Sequence, residues 1–188
     1  VFGCNTSIMP ENGIEKIGNG AFCKCDKLEN IVIPNGVKVI GKNAFDGCVG
    51  LKNVTFPIGL ELVDEYAFNK CVNLKEVVFN DGLKEIGDCA FYKCENISEL
   101  KLPQGLKNIG SFAFEYCGKL EVLDIPEGVE TIGLNTFEHC DEVKIISLPS
   151  TLKSFYNAGF RYKPKLEKIS VAEGNNEFIS NGNCLISL

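Results

Sequence analysis

The chain has 188 residues, 45% of them hydrophobic and 23% charged, with a net charge of −6 and both signs interleaved throughout. That composition is of a folded, soluble protein, and it excludes two classes of partner surface. No apolar run approaches the roughly 18 residues that cross a membrane, and no basic block offers the face that a phosphate backbone requires, so nucleic acid is not the expected partner.

One interval governs the sequence. Phenylalanine stands at Phe22, Phe45, Phe68, Phe91, Phe114, Phe137 and Phe160, always 23 residues apart, and cysteine follows three places later at Cys25, Cys48, Cys71, Cys94, Cys117 and Cys140. A stack of near-identical coils presents the same side chain to the same interior slot at each turn, which accounts for such a register. The array grows by adding units, so length does not set a domain count, and residues 1–188 read as one array.

In chain order, Val1 to Pro10 lacks the Ala-Phe pair, so 1–13 reads as a partial N-terminal unit. Regular coils then occupy about 14–174, beginning at Ile14, Val37, Leu60, Leu83, Leu106, Val129 and Leu152. Residues 175–188 break the plan and carry Asn-Gly and Gly-Asn turn pairs suited to a hairpin. Both ends look like parts of units, which favours a piece of a longer array. Nothing resembles a leader, and that carries no compartment.

Within a unit, Leu123 and Ile125 are two apart, the period of a strand with one buried face. Pro126 and Gly128 stop that strand and turn the chain. Val129 to Ile132 forms a second short extended piece, and Gly133 ends it at a position expected to need positive φ. Thr136 to Cys140 is too short for a stable helix and predicts one helical or 3₁₀ turn. Two short strands and one turn per coil give a right-handed α/β repeat solenoid with parallel ladders. The seventh coil departs from the plan, with Tyr156 in the glycine column and Lys163 in the cysteine slot. An unpaired lysine does not fill a dry slot, so this coil is expected to bend away.

Ten cysteines would suit a disulfide framework, but six share one column. Neighbouring strands lie about 4.8 Å apart, and parallel Cβ vectors hold those Cβ atoms too far apart for a bond. Buried free thiols acting as small hydrophobes are the expectation. An oxidising compartment conflicts with that expectation, and an anaerobic habitat removes the conflict.

The unit Ile-x-x-Ile-Gly, Ala-Phe, Cys, Leu, then Ile-x-Ile-Pro-x-Gly resembles the BspA-type leucine-rich repeat, over about Ile14 to Val171. This branch is found on the surfaces of anaerobic gut and oral bacteria and of some protozoan parasites. The resemblance implies a surface-exposed, non-catalytic binding module linked with adhesion to host or neighbouring cells, and no catalytic residues to carry over. A protein or glycan ligand is the implied partner. Fold does not fix function, so a structural spacer or recognition arm of a larger enzyme or wall-anchored protein and a cytoplasmic scaffold stay open beside it.

Residues with catalytic chemistry are sparse. His139 is the single histidine and adjoins the interior Cys140, so the two point different ways. Cys23 with Cys25, and Cys89 with Cys94, lack the paired spacing of structural zinc. Glycine is spread at the repeat interval rather than clustered in a phosphate loop. No cofactor is expected. Charged columns such as Glu15, Lys38, Glu61, Lys84, Lys107, Glu130 and Lys153 read as a solvated face. Tripeptides suited to N-glycosylation begin at Asn5, Asn53 and Asn96, and they matter only on a eukaryotic secretory route.

Partner contacts are therefore sought where apolar side chains take outward positions. Tyr116, His139 and Tyr162 succeed one another in the column before the cysteine, and Tyr66, Cys89 and Phe112 form another just ahead of the Ala-Phe pair. On the strand face, Val122 and Ile145 replace polar residues of earlier units. Aromatic side chains with a polar tip are favoured at interfaces, although neighbours in a column can also stack on one another.

Overall fold

A computed structural model describes residues 13–155, 159–160, 163–182 and 184–188. The first coils contain β1 (Lys16–Ile17), β2 (Asn30–Val32), β3 (Val39–Ile40), β4 (Asn53–Thr55), β5 (Leu62–Val63) and β6 (Glu76–Val78). The middle coils contribute β7 (Glu85–Ile86), β8 (Glu99–Lys101), β9 (Asn108–Ile109), β10 (Val122–Asp124) and β11 (Thr131–Ile132). The last elements are β12 (Ile145–Leu148), β13 (Ser154–Phe155), β14 (Lys168–Val171), β15 (Phe178–Asn181) and β16 (Cys184–Ser187).

The odd-numbered strands from β1 to β13 form one parallel seven-stranded ladder. Its register steps by one repeat at every rung, Ile17 on Ile40 and Ile132 on Phe155. Each two-residue strand turns one side chain inward, so Ile40, Val63, Ile86 and Ile132 are buried while Glu85 and Asn108 stay exposed. The even-numbered strands form the second face in three parallel pieces, β2-β4, β6-β8 and β10-β12-β14. At the break beside β8, Leu100 and Leu102 are only half-buried, whereas Leu123 and Ile125 of the next coil are buried. β15 and β16 pair antiparallel as a hairpin, and the Phe178 ring packs 5.7 Å from Phe155.

Among the described residues the predicted helical turn is not formed. The positions of Tyr66, Cys89 and Phe112 have φ of 57°, 54° and 59°, and those of Lys93, Tyr116 and His139 have 57°, 63° and 56°. Left-handed residues at these two places send alternate N–H groups out of the turn. Tyr66, Phe68 and Lys70 donate to Asp88, Ala90 and Tyr92 of the next coil at 2.9, 2.7 and 2.8 Å. The residues between them, Ala67, Asn69 and Cys71, donate three places back within their own turn. An α-helix would spend every such donor internally. The segment is thus a third inter-coil ladder, and its hydrogen bonds offset a backbone cost of about 1–2 kcal/mol per left-handed residue.

Gly133 also departs from expectation. Positive φ belongs to the Pro-x-Gly glycines, with 105° at Gly128, and not to the column of Gly133. That column needs glycine because the coils meet there: a Cβ on Gly110 would lie 2.6 Å from the Asp88 nitrogen, and one on Gly133 would collide with the Ser111 nitrogen.

Inside the coils the phenylalanine rings form a continuous stack. From Phe22 to Phe114 successive centroids are 5.0, 4.9, 5.1 and 5.2 Å apart, with planes within 6° of parallel. The spacing opens to 5.7 Å between Phe114 and Phe137, where Thr136 stands in the alanine column. Beside the rings, the cysteine column is buried, and Cys48, Cys71, Cys94, Cys117 and Cys140 form no disulfide. From Cys48 to Cys140 each thiol donates to the carbonyl of the phenylalanine one coil back, as Cys71 does to Phe45 at 3.2 Å and Cys94 to Phe68 at 3.1 Å.

Lys163 fills the next slot in this column rather than swinging out. Its ammonium is buried and donates to the Phe137 carbonyl at 2.9 Å, taking the place of the thiol. Burial holds its pKa below the ordinary lysine value. Tyr156 lies outside the described residues.

Two outcomes follow from this packing. Gly110→Ala should lose about 1–3 kcal/mol by forcing backbone apart, whereas Gly118→Ala, whose Cβ would meet nothing closer than 3.9 Å, should change stability by less than about 0.5 kcal/mol; chemical denaturation of the two variants measures both. Burial raises the Cys48 and Cys140 thiols from 9.0 to about 12. Between those values the unfolded chain ionises them while the folded chain keeps the protons, so stability is intact below pH about 9 and falls as pH rises toward 12. Denaturation midpoints at pH 8 and pH 11 should show that fall, and Cys48→Ala should make it shallower without abolishing it, because Cys140 remains.

Candidate binding surfaces

The repeat delivers every interior position to the same packing role, so the chemistry is confined to outward columns. Cys140 shows this: its thiol donates to Phe114 at 3.3 Å and is held protonated by burial, while the adjacent His139 ring lies exposed on Tyr116. Among the described residues no three His, Cys, Asp or Glu side chains converge as a metal site, and no helix is long and apolar enough to cross a membrane.

The turn face carries a compact ring cluster. Tyr116 and His139 stack with centroids 4.4 Å apart and planes at 14°. Lys93 places its ammonium 5.3 Å from the Tyr116 ring and 5.4 Å from Tyr92. Tyr92 meets Tyr116 edge-on at 5.8 Å. The left-handed φ at Lys93, Tyr116 and His139 aims the three side chains along one line. Tyr92 was missed by the sequence reading because a helical turn would have separated it from the column that it joins. Glu115 completes the surroundings, with its carboxyl raised above the usual range by burial despite His139 and Lys93 nearby. Tyr162 lies outside the described residues.

Tyr66 and Phe112 occupy their expected column but are not neighbours, since Cys89 separates them. Tyr66 is about one-third exposed, Phe112 is half-buried, and the Tyr66 hydroxyl shares a hydrogen bond with the Cys89 thiol. On the other face Val122 and Ile145 are direct cross-strand partners, 47% and 36% exposed. A Lys144–Glu121 ion pair of 2.7 Å borders them. Similar pairs step between coils elsewhere, as Lys52 to Glu29 at 2.9 Å and Lys153 to Glu130 at 2.7 Å. Their exposure limits each to at most about 1 kcal/mol.

A groove of about 680 Å³ runs across the seven-stranded ladder, and sequence reading did not anticipate it. Glu85, Asn108, Thr131 and Ser154 form one wall, Asp88, Ser111 and Leu134 stand opposite, and the bare backbone of Gly87, Gly110 and Gly133 lies between. The clue was present in one column: Val39 and Leu62 give way there to Glu85, Asn108, Thr131 and Ser154.

With this geometry in hand, comparison with known proteins is informative. The sequence matches the BspA type leucine rich repeat region in six copies, over residues 3–88 and 62–184. A leucine rich repeat protein of T. pallidum is 33% identical with a TM-score of 0.70, the match covering 75% of this chain and 66% of that one. The pneumococcal vaccine antigen PcpA is 28% identical with a TM-score of 0.61, covering 85% of this chain and 34% of that one. A leucine-rich repeat protein from Eubacterium ventriosum, at 19% identity and a TM-score of 0.57, shares the fold over 85% of this chain and 42% of its own. The chain thus spans about two thirds or less of each of these proteins. No functionally curated protein matches the sequence. The chain belongs to the BspA-type leucine-rich repeat family.

Proposed function

We propose that this segment is a non-catalytic binding module displayed at a cell surface or secreted, where it mediates adhesion by gripping a protein partner on host or neighbouring cells. The observation that carries the reading is the ring cluster of Tyr92, Lys93, Tyr116 and His139, a strip of aromatic faces and one cation held in line by the repeat backbone. Tyrosine and cationic side chains dominate the affinity of protein interfaces, and a rigid scaffold lowers the ordering cost of using them. Tyr162 of the next coil, Tyr66 with Phe112, and the Val122–Ile145 pair are the flanking candidates. A glycan on the same cells is the second ligand class.

Two further points support the placement. PcpA is described as a pneumococcal vaccine antigen. The thiol column fits an anaerobic setting, where free cysteines persist outside the cell. Attachment to a longer protein, for which this array serves as recognition arm or spacer, is compatible with the partial span of its relatives.

An array of host matrix proteins and surface glycans tests the reading. Replacing Tyr116, His139 and Tyr162 together by alanine should weaken a genuine hit by about thirtyfold or more, the loss expected when a hot spot of about 2 kcal/mol is removed. A hit retained at full strength in that variant places the contact elsewhere.

A further inference from the structure

We infer that the groove over β7, β9, β11 and β13 is a second binding site, and that its ligand is an unbranched β-1,4-linked polysaccharide lying along the stack. This rests on the module being a binding protein but not on the ring cluster, which occupies a different face.

Three features select that ligand. The first is period. Each coil adds one set of wall groups, and neighbouring strands of the ladder beneath them lie about 4.8 Å apart. A β-1,4-linked chain is straight, advances by a slightly greater length for each pyranose ring and turns successive rings over, so alternate rings meet equivalent groups on every second coil. An extended peptide repeats its side chains on one face every 6.6–6.8 Å or so and drifts out of register within a few coils.

The second feature is the chemistry of the walls. Over the middle coils they are uncharged: Asn108, Ser111, Thr131 and Ser154. The Thr131 hydroxyl donates to the Asn108 carbonyl oxygen at 2.6 Å, which leaves both amide protons of Asn108 and the lone pairs of Thr131 for a ligand. Ser111 Oγ accepts from the Leu134 nitrogen at 3.3 Å and keeps its own proton to donate. Such mixed donors and acceptors match sugar hydroxyls, and the half-exposed Leu134 provides an apolar contact for a ring face.

The third feature disfavours a cationic partner. Carboxylates gather at one end of the groove only, so a cationic chain lying along it finds no charge to pair with over Asn108, Thr131 and Ser154. Glu65 pairs with Lys42 at 2.8 Å, Asp64 accepts from the Glu65 nitrogen at 2.8 Å, and Asp88 accepts from the Ser111 nitrogen at 2.7 Å. Asp64 also occupies the glycine column at that end, so a chain longer than the groove gains nothing by extending past it.

The test is calorimetric titration of the full chain with cello- and chito-oligosaccharides of two to six rings, with maltohexaose as the curled α-linked control and hexalysine as the cationic one. Affinity should rise with each ring to about four, one per strand of the groove, and then level off. Asn108→Ala with Thr131→Val should weaken it at least tenfold, as should Ser111→Arg, which blocks the trough from its exposed wall. Tyr116→Ala with His139→Ala should leave it unchanged. Binding that ignores chain length, equal binding of maltohexaose, preference for hexalysine, or no binding overturns the proposal. The array experiment on the ring cluster stands or falls separately.

Discussion

The contact on which everything else depends is the one between each coil and the next, and its centre is the phenylalanine stack. One coil of 23 residues has no interior of its own. Its two strands bury a single side chain or two apiece, and its turn spends half its N–H groups on a neighbour. Coils in register convert those deficits into parallel ring faces, thiols on phenylalanine carbonyls and three hydrogen-bonded ladders. Stability is then approximately a sum over coils and their interfaces, and a change in one interior column acts on the contacts above and below it alone.

This arrangement separates structure from function more cleanly than a globule does. Strained backbone commonly points to active sites, but here it recurs in coil after coil, beside buried thiols of the inert, structural kind. Left-handed residues at Tyr66, Cys89 and Phe112 are there to bond the next coil, Cys94 is enclosed and hydrogen-bonded, and burial keeps the hydrogen-bonded Cys117 protonated. Whatever distinguishes this array from another of its family resides in positions that break the columns on the outside. Tyr92 and Tyr116 on the turn face, Val122 and Ile145 on the strand face, and Asn108 and Thr131 in the groove are of that kind.

The coil length, the parallel register and the identity of the interior columns were legible in the sequence because each depends on residue type at a fixed interval. The turn was not legible: five residues with mixed propensity look helical, and only the neighbouring coil's carbonyls make the left-handed alternative favourable. Gly133 shows a related ambiguity, since glycine serves both positive φ and close backbone approach. Lys163 was misjudged because its partner, the Phe137 carbonyl, is a backbone atom that no side-chain pattern announces. The ring cluster was half visible, with Tyr116 and His139 in one column and Tyr92 in the next. The groove was hidden because its walls are ordinary polar residues whose alignment across coils gives them their significance.

Excision of one whole coil tests the stacking account most directly. Removing residues 83–105 should bring Leu60's coil onto that of Leu106 in register and leave a chain that unfolds cooperatively, with an unchanged circular dichroism spectrum per residue and a lower midpoint. Removing 20 residues from the same place should abolish the cooperative transition. If the two deletions behave alike, equal coils in register are not what holds this protein together.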